Sequence, residues 1–272
     1  MGERIYWKVF IYYVTFKFCV EDPMLSVLLQ GRFGNHLWQY AVCRSVAEHL
    51  GYAFHIPRHF AGQPFFNCDL GEPTEHIERN FSEIDANGGD INRQKYSPDL
   101  FKIADGTRLV GFFQTEQYLL NSRSKIKTWF NVPDNVPLLE ASGVDENTCV
   151  INFRGGDYVG KGLFLPKKFF DDAAAYVTSL LPNVKFVVVT DDVPLAKAWF
   201  PTYTVLSLDA FSCFTVVNKA RYLIIANSTF SWWAAWLSDN AKVVVAPKYW
   251  FAYNTKAEWL PLDSQTAGFT YL

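Results

Sequence analysis

The sequence predicts an α/β protein built on parallel sheet, and three observations carry that reading. Short apolar runs alternate with loops and helix-length periodic segments, the rhythm of parallel βα units. In the second half, successive strand ends carry an arginine, a pair of carboxylates and a hydroxyl cluster. Ligands in doubly wound folds gather at the carboxyl ends of strands. Finally, 272 residues allow one large domain or two of roughly 110–130 residues, each able to bury its own core.

Taken in order, residues 1–23 read as a peripheral N-terminal extension. The apolar and aromatic stretch 5–20 is interrupted by Lys8 and Lys17, is shorter than the ~20 residues of a spanning helix, and lacks a cleavage site. A short membrane-associating anchor is the less favoured alternative. The working fold is expected to start near Met24, with a strand over residues 25–29. The turn Gln30-Gly31-Arg32-Phe33-Gly34-Asn35 follows, then a helix over 36–50 in which Leu37, Trp38, Ala41, Val42, Val46 and Leu50 recur at helical spacing and Gly51 is the stop. Asn35 stands where an N-cap belongs; it can cap, face a ligand, or do both. The pattern is not the dinucleotide fingerprint, so no NAD site is inferred.

Residues 58–107 lack a sustained period and read as long loops with short elements, a candidate acceptor-facing surface. A strand is predicted over 109–114 and a helix over 116–130. Residues 131–137, with two prolines, form the best linker. The expected division is therefore an N-terminal domain 24–140 and a C-terminal domain 141–272.

The second half supplies the chemistry. A strand over 148–153 runs into Arg154-Gly155-Gly156-Asp157-Tyr158. Another, 184–189, ends in Thr190-Asp191-Asp192. A third, 220–226, ends in Asn227-Ser228-Thr229 ahead of an aromatic helix, and a fourth covers 242–246. Arg154 can pair bidentately with a diphosphate while the glycines keep other side chains clear; the alternative is an Arg–Asp salt bridge, with Asp192 capping a helix. Asp191 or Asp192 can accept hydrogen bonds from a ribose or a purine edge. The Asn-Ser-Thr turn can be an ordinary cap or an anion site, since both use a helix N-terminus.

Composition narrows the partners. A net charge of −2 with 50% hydrophobic residues gives no basic surplus for nucleic acid and no polybasic tract for anionic membranes, so anion binding must be local. Cys19, Cys43, Cys68, Cys149 and Cys213 are dispersed, with no CxxC pair and no Cys/His cluster. Neither a disulfide framework nor a zinc site is supported, and a reducing, cytoplasmic setting fits, with membrane association only through the extension.

Five segments, in order, resemble glycosyltransferase family 11, the α-1,2-fucosyltransferase family, within the α-1,2/α-1,6/protein O-fucosyltransferase superfamily. LLQGRFGNHLWQYAVCRSVAEHLG (28–51) is similar to the family's G-G-L-G-N-Q-M-F-Q-Y-A opening, and GFFQTEQYL (111–119) to its G-Y-F-Q-S-E-K-Y-F segment. VINFRGGDYV (150–159) resembles H-x-R-R-G-D-Y; FVVVTDD (186–192) and IIANSTFSWWAAWL (224–237) match the remaining two. The resemblance implies a GT-B-type architecture, two Rossmann-like domains facing a cleft, with GDP-L-fucose held mainly by the C-terminal domain. It implies inverting transfer, without metal or cofactor, to a glycan hydroxyl, typically O2 of a terminal galactose. By position, Arg154 would hold the β-phosphate and Asn35 would reach the diphosphate or fucose from the opposite domain. Ser228, Thr229 and Phe230 would line the phosphate and nucleoside pocket, and Asp157, Asp191 and Asp192 would order the loop or contact ribose and guanine. The absence of a DxD-type metal site agrees with metal independence.

The chain departs from the family at three places: Asn152 replaces His, Gly155 replaces the second Arg, and His36 replaces Gln. These departures motivate two alternatives, a non-catalytic nucleotide-sugar or glycan binding protein and a transferase for another GDP-sugar. Asp157, His36 and Glu116 are the candidate bases, with Asp157 preferred. Trp250, Phe251 and Trp259 are candidate sugar platforms, although core packing would account for each ring singly.

Overall fold

In the computed structural model the described residues are 23–73 and 76–272. All but Pro23 of the expected N-terminal extension, including residues 5–20, lies outside them.

Among the described residues, ten strands form two all-parallel sheets. The first contains β1 (Met24–Val27), β2 (Ala53–His55), β3 (Arg79–Ser82) and β4 (Thr107–Val110), in the order β2-β1-β4-β3. The second contains β5 (Thr148–Phe153), β6 (Lys185–Thr190), β7 (Thr204–Leu206), β8 (Tyr222–Ile225), β9 (Val243–Ala246) and β10 (Phe269–Tyr271), in the order β10-β9-β8-β5-β6-β7. The helices are α1 (Phe33–Leu50), α2 (Gln63–Phe66), α3 (Glu83–Ala86), α4 (Arg123–Trp129), α5 (Val136–Ala141), α6 (Lys167–Leu180), α7 (Val193–Trp199), α8 (Ala210–Lys219) and α9 (Thr229–Trp236). Two parallel α/β sheets on either side of a cleft meet the GT-B-type expectation.

Every residue of β5 is buried, as a central parallel strand covered on both faces requires. The two-residue alternation decides where each side chain goes: Val150 joins one apolar cluster and Ile151 the other. The second cluster packs Ile151, Phe153, Val188 and Ile224 under Phe169, Phe170 and Val177 of α6. The first runs from Leu25, Val27 and Leu109 of the first sheet to Val150, Leu223 and Ile225 of the second. Helices α1 and α9 carry it across. Trp38 meets Trp232 and Trp233 with ring centroids 4.2 Å and 5.0 Å apart, contacts worth about 0.5–1.5 kcal/mol each beyond area burial.

The C-terminal segment returns to the first half. Leu262 N–H donates to the Gln94 carbonyl at 2.9 Å, and Tyr96 N–H to the Asp263 carboxylate at 2.7 Å. Glu116 accepts from Ala267 N–H at 2.6 Å and from the Trp236 indole at 3.2 Å.

Several boundaries differ from expectation. The first strand stops at Val27, and α1 starts at Phe33 rather than residue 36, with Arg32 as N-cap. Asn35 is therefore inside the first turn and is not the cap. Gly51 closes the helix in the left-handed conformation, φ 73°, as read from the sequence. The strand placed at 109–114 is Thr107–Val110, and the helix placed over 116–130 is two 3₁₀ turns, Glu116–Tyr118 and Leu120–Ser122, followed by α4. Burial of Glu116 against Ala267 and Trp236 draws this stretch away from a regular helix. β2, β3, β7 and β10 have no counterpart among the strands expected from the sequence.

Candidate active site

A cleft of about 790 Å³ lies between residues of the two halves. Gly31 to Asn35, Gln94, Phe112 and Gln114 line it from one side. Asn152 to Arg154, Asp157, Tyr158, Asp191 and Ser228 to Phe230 line it from the other.

Arg154 leaves the end of β5. Its Nη1 meets Asp191 Oδ2 at 2.5 Å, its Nη2 meets Asp157 Oδ1 at 2.5 Å, and the guanidinium lies 5.2 Å from the Tyr158 ring centroid. Its Nε–H is buried and has no hydrogen-bond partner. A guanidinium carries five N–H donors, so Arg154 retains capacity for an anion while two carboxylates fix its plane. The salt-bridge reading of this residue is thus correct, and it leaves room for the binding one.

Asp157 is shared. Besides Arg154 it accepts from Arg32 Nη2 at 2.8 Å and meets Lys161 Nζ at 3.4 Å. Desolvation pushes its pKa up, but attraction and hydrogen bonding from Arg154, then Arg32 and Lys161, outweigh it and hold the carboxyl below its ordinary value. Asp191 has a second task, accepting Gly155 N–H at 3.0 Å. Asp192 does not line the cleft: its carboxylate caps α7 by accepting Leu195 N–H at 3.1 Å, so the sugar- or base-contacting role expected of it is not supported by its position.

Ser228 occupies the N-cap of α9 and makes no side-chain capping bond, so the ordinary-cap reading of the turn is not what the structure holds. Thr229 instead donates its hydroxyl to Asn35 Oδ1 at 2.9 Å, and Gln114 donates to the same oxygen at 3.0 Å. Asn35 thereby joins the two halves at the cleft floor. Gly34 makes this approach feasible: a Cβ there would fall 2.6 Å from Phe230 N and 2.5 Å from Thr229 Oγ1. Phe230 lines the wall beside Phe33 and Phe214, at 5.7 Å and 5.3 Å between centroids.

The other base candidates lie elsewhere. His36 is buried in α1, accepts Ala61 N–H on Nδ1 at 3.1 Å, and has its pKa lowered by burial and by His59. Glu116 is the buried anchor of the C-terminal segment. Of the aromatic platforms, Phe251 lines the cleft, Trp250 is buried, and Trp259 packs on Tyr249 and Tyr271. Among the described residues no three His, Cys, Asp or Glu side chains cluster as metal ligands, and no helix is long and apolar enough to cross a membrane. Cys43, Cys68, Cys149 and Cys213 are free thiols.

Sequence reasoning missed Arg32, Gln94, Phe112 and Gln114 as lining residues. Arg32 between two turn glycines was a usable signal, and Gln114 lies inside the family-like stretch 111–119. Gln94 offered none; it is brought in by the returning C-terminal chain, and its buried side-chain nitrogen has no partner.

Comparisons with known proteins bear on the family and the fold. Residues 9–263 match the sequence profile of Glycosyl transferase family 11. The chain is 29% identical over 187 residues to an Escherichia coli O-antigen biosynthesis glycosyltransferase, WbnK, covering 60% of this chain and 61% of that one. It is 29% identical over 181 residues to an Escherichia coli alpha-1,2-colitosyltransferase, covering 58% and 61%. These matches span about three fifths of the curated relatives' length. Among solved structures, a glycosyl transferase family 9 protein from Veillonella parvula superposes with a TM-score of 0.50 at 10% identity, covering 92% of this chain and 86% of that one, a likeness of fold. The chain belongs to glycosyl transferase family 11.

Proposed function

We propose that this member of glycosyl transferase family 11 moves L-fucose from GDP-L-fucose to a glycan hydroxyl, with O2 of a terminal galactose as the acceptor atom, using neither metal nor cofactor. Residues 141–272 serve as the donor side and residues 24–140 as the acceptor side. The observation that carries the reading is Arg154: a guanidinium with donors to spare, locked by two carboxylates at a strand end, on the same cleft wall as the α9 N-terminus.

The chemistry follows from where charge appears. As the acceptor oxygen bonds to the anomeric carbon from one face, the bond from that carbon to the β-phosphate oxygen breaks on the other, and its electron pair leaves with GDP. Arg154 and the first N–H groups of α9 answer that negative charge, a role in which a single donor can be worth about 3–4 kcal/mol. Ser228, Thr229 and Phe230 line the phosphate and nucleoside end, with Asp191 holding Arg154 in place. We assign Asp157 to the placement of the arginines. Asp157 is already engaged by Arg154, Arg32 and Lys161, which hold its carboxyl below its ordinary value. The acceptor hydroxyl loses its proton to water or to the departing diphosphate as the C–O bond forms, since an oxocarbenium-like displacement asks little of a base. Gln94, Phe112 and Phe251 also line the cleft, and the two rings are of the kind that stacks on a sugar face.

The relative named as an alpha-1,2-colitosyltransferase favours one further reading, transfer of a sugar other than fucose from its GDP-linked form. Thermal-shift ranking separates the nucleotide question from the sugar question. GDP is expected to stabilise the protein more than UDP or ADP, and GDP-fucose more than GDP; stabilisation led by UDP would defeat both readings.

A further inference from the structure

The carboxylate of Asp157 joins two guanidinium groups from opposite halves of the chain. Its Oδ2 accepts from Arg32 Nη2 at 2.8 Å, and its Oδ1 accepts from Arg154 Nη2 at 2.5 Å. Arginine takes a carboxylate or a phosphate in closely similar two-oxygen geometry. The two arginines therefore stand at a separation that one phosphate-sized anion can span.

Arg32 suits this task better than its exposure alone would indicate. Its side chain is 71% exposed against 24% for Arg154, and both line the cleft. Its backbone is nevertheless fixed, because Gly34, two residues on, rests against Thr229 and Phe230 at the start of α9. Around Asp157 and Asp191 there are three cationic side chains, Arg32, Arg154 and Lys161, and of these Arg32 and Arg154 line the cleft. A second cation cannot come from position 155, where a Cβ would lie 2.6 Å from Asp192 Cβ.

We propose that Arg32 is a second phosphate-binding arginine. On donor binding its guanidinium transfers from Asp157 to the diphosphate, so that Arg32 from the N-terminal half and Arg154 from the C-terminal half hold the leaving group together. This rests on the nucleoside-diphosphate reading given above.

Titration calorimetry on the full chain tests it, with GDP and guanosine as probes and wild type, Arg32→Ala, Arg32→Lys, Asp157→Asn and the Arg32→Ala/Asp157→Asn double variant as proteins. Losing a charge-assisted contact should weaken GDP binding by roughly tenfold or more in Arg32→Ala, leave guanosine within about twofold, and be partly rescued by lysine. The same loss should recur in the Asp157→Asn background, because the contact is to phosphate. Equal GDP affinity in wild type and Arg32→Ala would overturn the proposal while leaving the nucleotide reading intact. So would a loss that vanishes in the Asp157→Asn background, since Arg32 would then act only by restraining Asp157. A wild-type chain that binds no GDP would remove the nucleotide reading and the proposal with it.

Discussion

Glu83 shows how a single side chain near the cleft sets a pH dependence. It is buried, and its Oε2 accepts the N–H groups of Phe112 and Phe113, both at 2.8 Å. Desolvation raises its pKa to about 7 from the ordinary 4.5, with the two hydrogen bonds opposing the rise. A carboxyl whose folded pKa exceeds its unfolded one binds protons more tightly when folded, so its contribution is complete below about pH 4.5 and is lost as pH rises through about 7. Wild type should lose on the order of 2 kcal/mol from this group between pH 5 and pH 8. Glu83→Gln keeps an acceptor and removes the titration, so its urea midpoint should change less across that range. An identical slope in both proteins would count against the assignment. One departure from the family also has a local cause. Glycine is required at 155 because Asp192, pulled in to cap α7, occupies the space a side chain would need. The Arg154-Gly155-Gly156 string was plain in the sequence; the neighbour that enforces the glycine was not, because it is supplied by another strand end.

At the scale of elements, the α1–α9 contact decides whether the two halves share a floor. Gly34→Ala places a methyl group 2.5–2.6 Å from atoms of Thr229 and Phe230. Backbone atoms cannot give way as a flexible side chain would, so the helices must separate and strain the Asn35–Thr229 bond. Overpacking of this kind costs about 1–3 kcal/mol, a fall in Tm of roughly 2–10 °C at this chain length, and GDP affinity should fall with it. An unchanged Tm would show that the close approach is not required. Strand-plus-loop units of the second half were legible, since β5, β6, β8 and β9 lie within a few residues of their apolar runs. The stretch 116–130 was not: its pattern fits a helix, but Glu116 answers to Ala267 and Trp236, far along the chain. Asn35 likewise reads as a local cap while its partners are Gln114 and Thr229. Local pattern reports local preference, and these residues are governed by contacts it does not contain.

For the molecule as a whole, function and fold meet in one feature, the cleft between two parallel sheets whose apolar cores merge through α1 and α9. Arg154, Asp157, Asp191, Ser228, Thr229, Phe230 and Asn35 all line it, so the polar strand ends noted in the sequence do converge. Asp192 alone among those candidates is withdrawn to a cap. Residues on the opposite wall were poorly legible because they reach the cleft through loops and through the C-terminal segment tied to Gln94 and Tyr96. Under the function proposed above, this cleft transfers L-fucose from GDP-L-fucose with Arg154 opposite the leaving diphosphate. The most direct measurement incubates the full chain with GDP-L-fucose and a β-galactoside in metal-free buffer, following GDP release and determining the product linkage. GDP release should be matched by an α-1,2-linked fucosyl galactoside, with turnover falling roughly 100-fold to 1,000-fold in Arg154→Ala at little cost in stability. GDP release that is undetectable with every acceptor, or turnover unchanged in Arg154→Ala, would contradict the proposed function.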